Sequence, residues 1–307
     1  MFNYTERTKS TDSIINETAI NAALQRPIPD AHAVRDILQK ASQGAGLDIH
    51  EAAALSAIHE PEQLNDLFRT ANSVKEAIYG KRLVLFVPLY ISNACTNECL
   101  YCAFRAGNTR VERRTLSQDE IAQEVNHVTA QGHKRILLVS GEAYPEDGFR
   151  YILDCINTIY SATHGSNAVR RLNVNIAPLS VDEFKLLQQA GIGTYQLFQE
   201  TYHRKTYAAV HPSGKKADYH WRLNALDRAL QAGIDDVGIG ALFGLYDWRF
   251  EMLALLQHIQ HLEQTFGIGC HTISVPRLEQ ASGSDCARHP PHPVSDSDFK
   301  KLIAILR

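Results

Sequence analysis

Residues 92–105 read Ser-Asn-Ala-Cys-Thr-Asn-Glu-Cys-Leu-Tyr-Cys-Ala-Phe-Arg and follow directly on the apolar run 83–91. The segment presents three cysteines, Cys95, Cys99 and Cys102, in the spacing C-x3-C-x2-C. A cubane cluster in a protein that only carries electrons normally takes four cysteine ligands. Because this loop supplies only three, the spacing predicts a [4Fe-4S] cluster in which one iron is open to a small molecule.

The open iron favours S-adenosylmethionine (SAM) as the molecule that binds there. SAM would chelate this iron through its amino and carboxylate groups, and reduction of the cluster would cleave a carbon–sulfur bond to give a 5′-deoxyadenosyl radical. The protein would then position the radical beside one hydrogen of the substrate and exclude water. A cluster of this kind also implies an anaerobic setting.

Two other uses of the cysteines are less well supported. A zinc site needs four tetrahedral ligands, usually as two close pairs, whereas the next histidine is His127 and the next cysteine is Cys155. A disulfide is disfavoured because no apolar signal segment opens the sequence, and cytosolic thiols stay reduced. Cys155 and Cys270 are expected to be packing residues, and a metal site at Cys286 is not favoured.

Composition limits the class of protein. The chain has 307 residues with 44% hydrophobic residues and a net charge of −3. This is enough for one large core and a smaller appendage, with no electrostatic case for binding nucleic acid or an anionic membrane. The longest apolar run, 83–91, is interrupted by Pro88 and is too short to span a bilayer. The expected location is therefore the cytoplasm.

The chain divides near residue 80. Residues 1–80 are predicted to form a helical segment, with helical periodicity at 31–41, 49–58 and 62–78. Over residues 81–307, short apolar strands alternate with amphipathic helices. The predicted strands are 83–91, 135–140, 171–177, 194–199, 236–243 and 270–275, and two of the helices between them open with the capping boxes Ser117-x-x-Glu120 and Ser180-x-x-Glu183.

Six strand–helix units predict an α/β fold, a partial (β/α)6 barrel of the TIM type with three quarters of the usual eight strands. A doubly wound sheet is the alternative, but no Gly-x-Gly-x-x-Gly turn follows the first strand. In a parallel barrel the functional residues gather at the carboxyl ends of the strands. The six strand ends are therefore expected to form the mouth of the site.

Polar and small residues stand at these strand ends, and five are candidates. Gly141 would let backbone approach a bulky ligand, or it would only relieve crowding. Glu142 and Glu200 would bind the ribose hydroxyls or the ammonium of SAM, or form surface ion pairs. Asn175 ends the third strand and is assigned to the same pocket. Arg277, after the sixth strand, would clamp a substrate carboxylate or form a structural salt bridge.

The motifs resemble a known family. The three-cysteine motif, together with Tyr101, Phe104 and Arg105, resembles radical SAM enzymes, and runs 171–177, 198–203 and 271–277 resemble their tyrosine lyase branch. Runs 191–195, 211–215 and 233–247 look most like the HydG family of FeFe-hydrogenase maturation enzymes. The resemblance covers roughly residues 48–277. The ThiH family of thiazole-synthesis tyrosine lyases shares run 199–203 and is the alternative.

The resemblance implies an activity. The radical would remove a hydrogen from the amino group of L-tyrosine, and the Cα–Cβ bond would break to give p-cresol and dehydroglycine. It also implies that an electron donor such as flavodoxin or ferredoxin, and other hydrogenase maturation proteins, are partners. The implied roles are cluster ligands at Cys95, Cys99 and Cys102, an adenine contact by the backbone of Tyr101, SAM-pocket contacts at Glu142 and Glu200, and the tyrosine carboxylate at Arg277.

The sequence also departs from that family. Family members continue with two more strand–helix units, and the hydrogenase branch adds a domain whose Cys-x-x-Cys motif binds an auxiliary cluster. No Cys-x-x-Cys follows Arg277 here, and Glu279 replaces a second basic residue. Ala103 stands where glycine is usual. The expectation is a fragment or a shortened relative that does not make carbon monoxide and cyanide alone, and a non-catalytic homologue is the second hypothesis.

Overall fold

The computed structural model describes residues 14–143, 148–164 and 167–307, and within them the central element is a six-stranded parallel sheet. Its strands are β1 (Val87–Ser92), β2 (Arg135–Ser140), β5 (Arg171–Asn175), β6 (Tyr195–Glu200), β7 (Val237–Ala241) and β8 (Thr272–Ser274), in that spatial order. A short antiparallel pair, β3 (Thr163–His164) and β4 (Asn167–Ala168), precedes β5.

Helices connect the strands and precede the sheet. In the N-terminal segment they are α1 (Glu17–Leu24), α2 (Ala31–Ser42), α3 (Ile49–Ala57) and α4 (Pro61–Tyr79). In the remainder they are α5 (Gln118–Ala130), α6 (Phe149–Ser161), α7 (Val181–Gln189), α8 (Arg204–Val210), α9 (Tyr219–Leu223), α10 (Ala225–Gln231), α11 (Trp248–Phe266), α12 (Asp285–Arg288) and α13 (Asp296–Leu306).

The order of the strands follows the chain, so each neighbour is reached through a helical crossover. Ile136, Leu172 and Val237 on three of these strands are almost fully buried and contribute to one continuous hydrophobic core. The predicted α/β fold, a partial TIM-type barrel, is confirmed. Both predicted capping boxes are present, with Glu120 and Glu183 as the third residues of their helices.

The N-terminal helices pack on the barrel helices. Helices α1 and α3 contact α11, and α4 contacts α13. Ile20 and Leu55 from this segment belong to the same buried cluster as the strands, so the two parts of the chain share one core. The proposed boundary near residue 80 remains a prediction. The first 13 residues of the N-terminal segment lie outside the described residues.

Two predicted elements differ in extent. The first strand begins at Val87 because its pairing with β2 begins there, opposite Ile136, and residues 83–86 have no neighbouring strand in the described part of the chain. The sequence pattern over 218–232 predicts one helix, whereas the structure has two, α9 and α10. They meet at Asn224, whose side-chain amide donates to the His220 carbonyl, a local bond of the kind that competes with a continuous helix.

Across the described ranges, every helix is too short or too polar to cross a lipid bilayer.

Candidate cluster and cofactor site

The cysteine loop starts where β1 ends and lies directly on Gly141, the residue after β2. The Gly141 N–H donates to the Ser92 carbonyl at 2.8 Å. A Cβ atom at Gly141 would lie 2.1 Å from the Ala94 carbonyl oxygen, which is far inside contact distance. Glycine is therefore needed here for the close approach of the loop's own backbone.

We expect Gly141→Ala to displace the cysteine loop and reduce the cluster content strongly. The added methyl group meets backbone, which cannot move aside as a side-chain end does. The measurement is iron and sulfide content after anaerobic reconstitution. Gly46→Ala is the matched control, because its Cβ would meet open space and its content should equal that of the wild type. Full cluster content in Gly141→Ala would contradict the geometry.

A segment after α8 fastens the cysteine loop from the other side. The N–H groups of Glu98 and Leu100 donate to the carbonyls of Ser213 and Val210, at 3.1 and 3.0 Å. The Asn97 side-chain oxygen accepts from the Lys216 N–H at 2.9 Å, although 119 residues of sequence separate the two. The loop is thus held in place by hydrogen bonds to a segment that is distant in the chain.

The three cysteines suit a cluster. All are free thiols, and backbone N–H groups of Asn97 and Phe104 approach the sulfurs of Cys95 and Cys102 at 3.5 and 3.3 Å. Burial raises the pKa of Cys99 to about 12 and raises that of Cys102. These thiols would have to lose their protons to bind a metal, and the charge of the metal compensates for the thiolates.

The donor set fits a cubane better than a single ion. No three histidine, cysteine or carboxylate side chains among the described residues converge on one metal position. A cubane does not require such convergence, because each cysteine ligates a different iron. The partly buried loop, its N–H···S contacts and its thiol ligands therefore match a [4Fe-4S] cluster held by Cys95, Cys99 and Cys102.

A buried cluster of two carboxylates and two cations lies beside the loop, and we call it the charge cluster: Glu142, Glu200, Lys216 and Arg222. Arg222 Nη1 lies 2.8 Å from Glu142 Oε1, and Lys216 Nζ lies 2.7 Å from Glu200 Oε1. Arg222 Nη2 is 3.6 Å from the same Glu200 oxygen and joins the two pairs. Asn97 of the cysteine loop donates to Glu142 Oε2 at 2.7 Å. The loop and the charge cluster are thus one hydrogen-bonded unit.

Neighbouring opposite charges favour the ionised forms of Glu142, Arg222 and Lys216 despite burial. Burial alone would raise the pKa of Glu142, but Arg222 and Lys216 outweigh it and lower this pKa. Burial would lower the pKa of Arg222, but Glu142 and Glu200 raise it. Lys216 is likewise desolvated and beside Arg222, yet the carboxylates raise its pKa. The site therefore holds fixed charges beside the cysteine loop.

Glu200 has an unusual backbone. Its φ is 72°, in the left-handed region that favours glycine, and the pairing register between β6 and β7 shifts between Phe198 and Glu200. Irregularities of this kind redirect a side chain at the end of a strand. Here the Glu200 carboxylate is directed to Lys216 and Arg222.

Tyr101 is fixed by a buried histidine. His211 Nδ1 lies 2.9 Å from the Tyr207 carbonyl, which can only accept, so this nitrogen carries the proton. His211 Nε2 therefore accepts from the Tyr101 hydroxyl, at 2.8 Å. Burial, with Lys216 and Arg222 nearby, lowers the pKa of His211 to about 2. The histidine stays neutral and anchors the tyrosine between Cys99 and Cys102.

Two of the sequence-predicted residues lie apart from the charge cluster's contacts. Asn175 ends β5 opposite Val139 of β2. Arg277 follows β8, where its Nη1 donates to an Asp296 oxygen at 2.5 Å and its guanidinium lies 5.2 Å from the centre of the Phe299 ring. The salt-bridge alternative for Arg277 is thus realised with an aspartate whose side chain is 85% exposed.

Sequence reasoning missed the two cations of the charge cluster and Asn97. Lys216 and Arg222 stand in and after a short turn, Lys215–Ala217, with no pattern that marks them as buried. A weak signal was available at Gly214, which has φ 92° and lies against Asn97. The run Pro212-Ser-Gly-Lys-Lys216 indicates a turn, but it does not identify the loop on which the turn packs.

Comparisons with known proteins agree with this geometry. The profile of the Radical SAM superfamily matches residues 89–256. The 2-iminoacetate synthase of Escherichia coli (strain K12) is 34% identical over 270 residues, 87% of this chain and 67% of that protein.

Two solved structures are also similar. A crystal structure of HydG, a maturase of the [FeFe]-hydrogenase, is 45% identical with a TM-score of 0.93 and covers 96% of this chain and 65% of that one. HydG from Carboxydothermus hydrogenoformans is 43% identical, with a TM-score of 0.88, and covers 97% and 68%. The chain thus spans about two thirds of the length of these relatives.

The cysteine loop, the partial barrel and these matches agree with one another. Members of this superfamily use a [4Fe-4S] cluster and SAM, and the three-cysteine loop lies inside the matched range. The sequence resemblance to the HydG and tyrosine lyase group is confirmed by the two HydG structures. The chain belongs to the radical SAM superfamily, in the group that contains HydG and the 2-iminoacetate synthases.

Proposed function

We propose that this chain is a radical SAM lyase that cleaves the Cα–Cβ bond of L-tyrosine, giving p-cresol and dehydroglycine. The observation that carries the proposal is the cysteine loop hydrogen-bonded to a buried charge cluster, in a chain 45% identical to HydG over 96% of its length. Dehydroglycine is another name for 2-iminoacetate, which the name of the E. coli relative gives as its product.

The chain's own residues would divide the work. Cys95, Cys99 and Cys102 would hold the cluster, and the cluster with SAM would supply, on reduction, a carbon-centred radical that removes a hydrogen atom. The backbone of Tyr101 would lie against the adenine, because the tyrosine side chain is anchored to His211. The remaining pocket residues are Gly141, Glu142, Asn175 and Glu200. The carboxylates of the two glutamates and the amide of the asparagine suit the hydroxyls and the ammonium of SAM.

Arg277 would bind the carboxylate of tyrosine. Its present partner Asp296 is 85% exposed at the side chain, so water screens this pair and its net contribution is small. A substrate carboxylate can therefore replace Asp296 at low cost. The planar guanidinium offers two parallel donors for such a group.

The proposal extends to setting and partners. An electron donor such as flavodoxin or ferredoxin would reduce the cluster, in an anaerobic cytoplasm where the six thiols stay free. Other hydrogenase maturation proteins would use the product if the HydG likeness extends to the pathway. In a thiazole-synthesis lyase, favoured by the similarity to 2-iminoacetate synthase, the same bond is cleaved and only the fate of dehydroglycine differs.

The first experiment is an anaerobic assay of the reconstituted chain with SAM, L-tyrosine and a reductant. We expect 5′-deoxyadenosine and p-cresol to form together, and to disappear when the reductant is left out. Deoxyadenosine without p-cresol would contradict the substrate while keeping the reaction class. A loaded cluster that cleaves no SAM would instead support a non-catalytic homologue. Cyanide is measured separately from p-cresol.

A further inference from the structure

A buried carboxylate on α11 accepts hydrogen bonds from the residues that follow β6. Glu251 lies in the first turn of α11 and has no exposed surface. The Thr201 hydroxyl donates to Glu251 Oε1 at 2.5 Å, and the Tyr202 N–H donates to Oε2 at 2.7 Å. Thr201 and Tyr202 are the two residues that directly follow Glu200.

The segment that Glu251 holds is the one that needs support. Among the described residues other than glycine, only Glu200 has a positive φ. A conformation of this kind is unfavourable and persists only where the surroundings fix it. The two bonds to Glu251 fix the backbone immediately after the strained residue, so they oppose its relaxation to an ordinary extended conformation.

Burying a carboxylate at this position is energetically unfavourable. Burial raises the pKa of Glu251 to about 7, although the bonds from Thr201 and Tyr202 act in the opposite direction. An apolar side chain on α11 would avoid this cost, but it would leave the Tyr202 N–H and the Thr201 hydroxyl buried without an acceptor. The acceptor function therefore explains why a glutamate stands here.

We propose that Glu251 is a positioning residue that fixes Thr201 and Tyr202, and through them holds the Glu200 carboxylate in the SAM pocket. The inference rests on the proposed function, which places SAM beside Glu200. Glu251 itself bonds to Thr201 and Tyr202, so it acts through these neighbours of Glu200 and not on the cofactor.

The test compares Glu251→Ala with Glu251→Gln in the full chain, reconstituted anaerobically. Two quantities are measured: the Kd for SAM, and the change in the cluster's electron paramagnetic resonance spectrum when SAM is added. Alanine removes both bonds, and we expect SAM to bind about tenfold more weakly with the cluster still loaded. Glutamine can accept from Tyr202 and donate to Thr201, so its Kd and spectrum should stay close to wild type.

Leu262→Ala controls for a loss of stability alone. Leu262 is fully buried near the other end of α11, so its truncation destabilises the fold while leaving the bonds from Thr201 and Tyr202 to Glu251 in place. Its Kd for SAM should equal that of the wild type. Thr201→Val removes the hydrogen bond from Thr201 to Glu251 with little change in side-chain volume. This variant tests the inference if Glu251→Ala does not fold. We expect it to weaken SAM binding by about threefold.

Three results would overturn the inference. The first is a Kd for SAM equal to that of the wild type in cluster-loaded Glu251→Ala. The second applies if Glu251→Ala does not fold, and it is a wild-type Kd for SAM in Thr201→Val. The third is a loss of SAM affinity in Leu262→Ala equal to that in Glu251→Ala. A wild-type chain that loads its cluster but does not bind SAM would overturn the proposed function as well. The two failures are therefore distinguished by the wild-type measurement.

Discussion

The Cys99→Ala variant is expected to lose the [4Fe-4S] cluster and all cleavage of SAM. Cys99 is the most buried of the three loop cysteines, at 4% exposure, and it packs with Tyr101 and Leu245 in a small apolar cluster. Water cannot easily replace its thiolate there. We expect the rate of 5′-deoxyadenosine formation to fall by more than about a hundredfold, beyond what loss of a merely supporting residue costs.

Cys270→Ala is the control for this variant. Cys270 is a free thiol as well, but it is only partly buried, lies just before β8 and packs against the main core. Its truncation should leave iron content and SAM cleavage unchanged. Both quantities are measured on protein reconstituted side by side without oxygen. A Cys99→Ala protein that keeps its cluster and cleaves SAM would contradict the ligand assignment.

Local sequence pattern was enough to predict most of the barrel. The sequence over 248–266 and over 296–306 predicts helices with the bounds that α11 and α13 have, because each helix has a cap at its start and a continuous apolar face. Strand β2 was also predicted to the residue. The three-cysteine spacing is equally local, since all of its residues lie on one loop. These features depend on neighbours within a few turns of chain.

The interior of the site depends on contacts between distant residues, and these could not be predicted. Arg222 meets Glu142 across 80 residues of sequence, and Lys216 meets the side chain of Asn97 across 119. Nothing in the sequence around Arg222 distinguishes a buried arginine from an exposed one on a helix. The positive φ of Glu200 is also a tertiary effect, because glutamate does not favour that conformation by itself.

Gly141 lies against the cysteine loop, but the reason for a glycine there was only partly predicted. The sequence suggested room for a bulky ligand or relief of crowding. The atom that comes closest is the carbonyl oxygen of Ala94, on the chain's own cysteine loop. The glycine therefore serves the cofactor site by letting the loop reach its place.

Arg222→Met is expected to lower the free energy of unfolding by about 3–5 kcal/mol, because it leaves buried carboxylates without their shared cation. Arg222 is 4% exposed at the side chain, and its Nε also donates to the Phe198 carbonyl at 2.7 Å. Lys216 remains beside Glu200, so the loss falls mainly on Glu142, which keeps one side-chain donor among the described residues, Asn97. Urea unfolding of the cluster-free protein under reducing conditions measures the effect.

Removal of a cation from an exposed ion pair should lower the free energy of unfolding far less than Arg222→Met does. Lys185 pairs with Asp182 at 2.8 Å, but the two side chains are 54% and 89% exposed, so Lys185→Met should change the free energy of unfolding by less than about 1 kcal/mol. A second comparison uses Glu142→Gln together with Arg222→Met. The double variant should recover part of the lost stability, because the uncompensated charge is gone. If Arg222→Met were as mild as Lys185→Met, water would have to reach the charge cluster, and the cysteine loop would rest on solvated side chains.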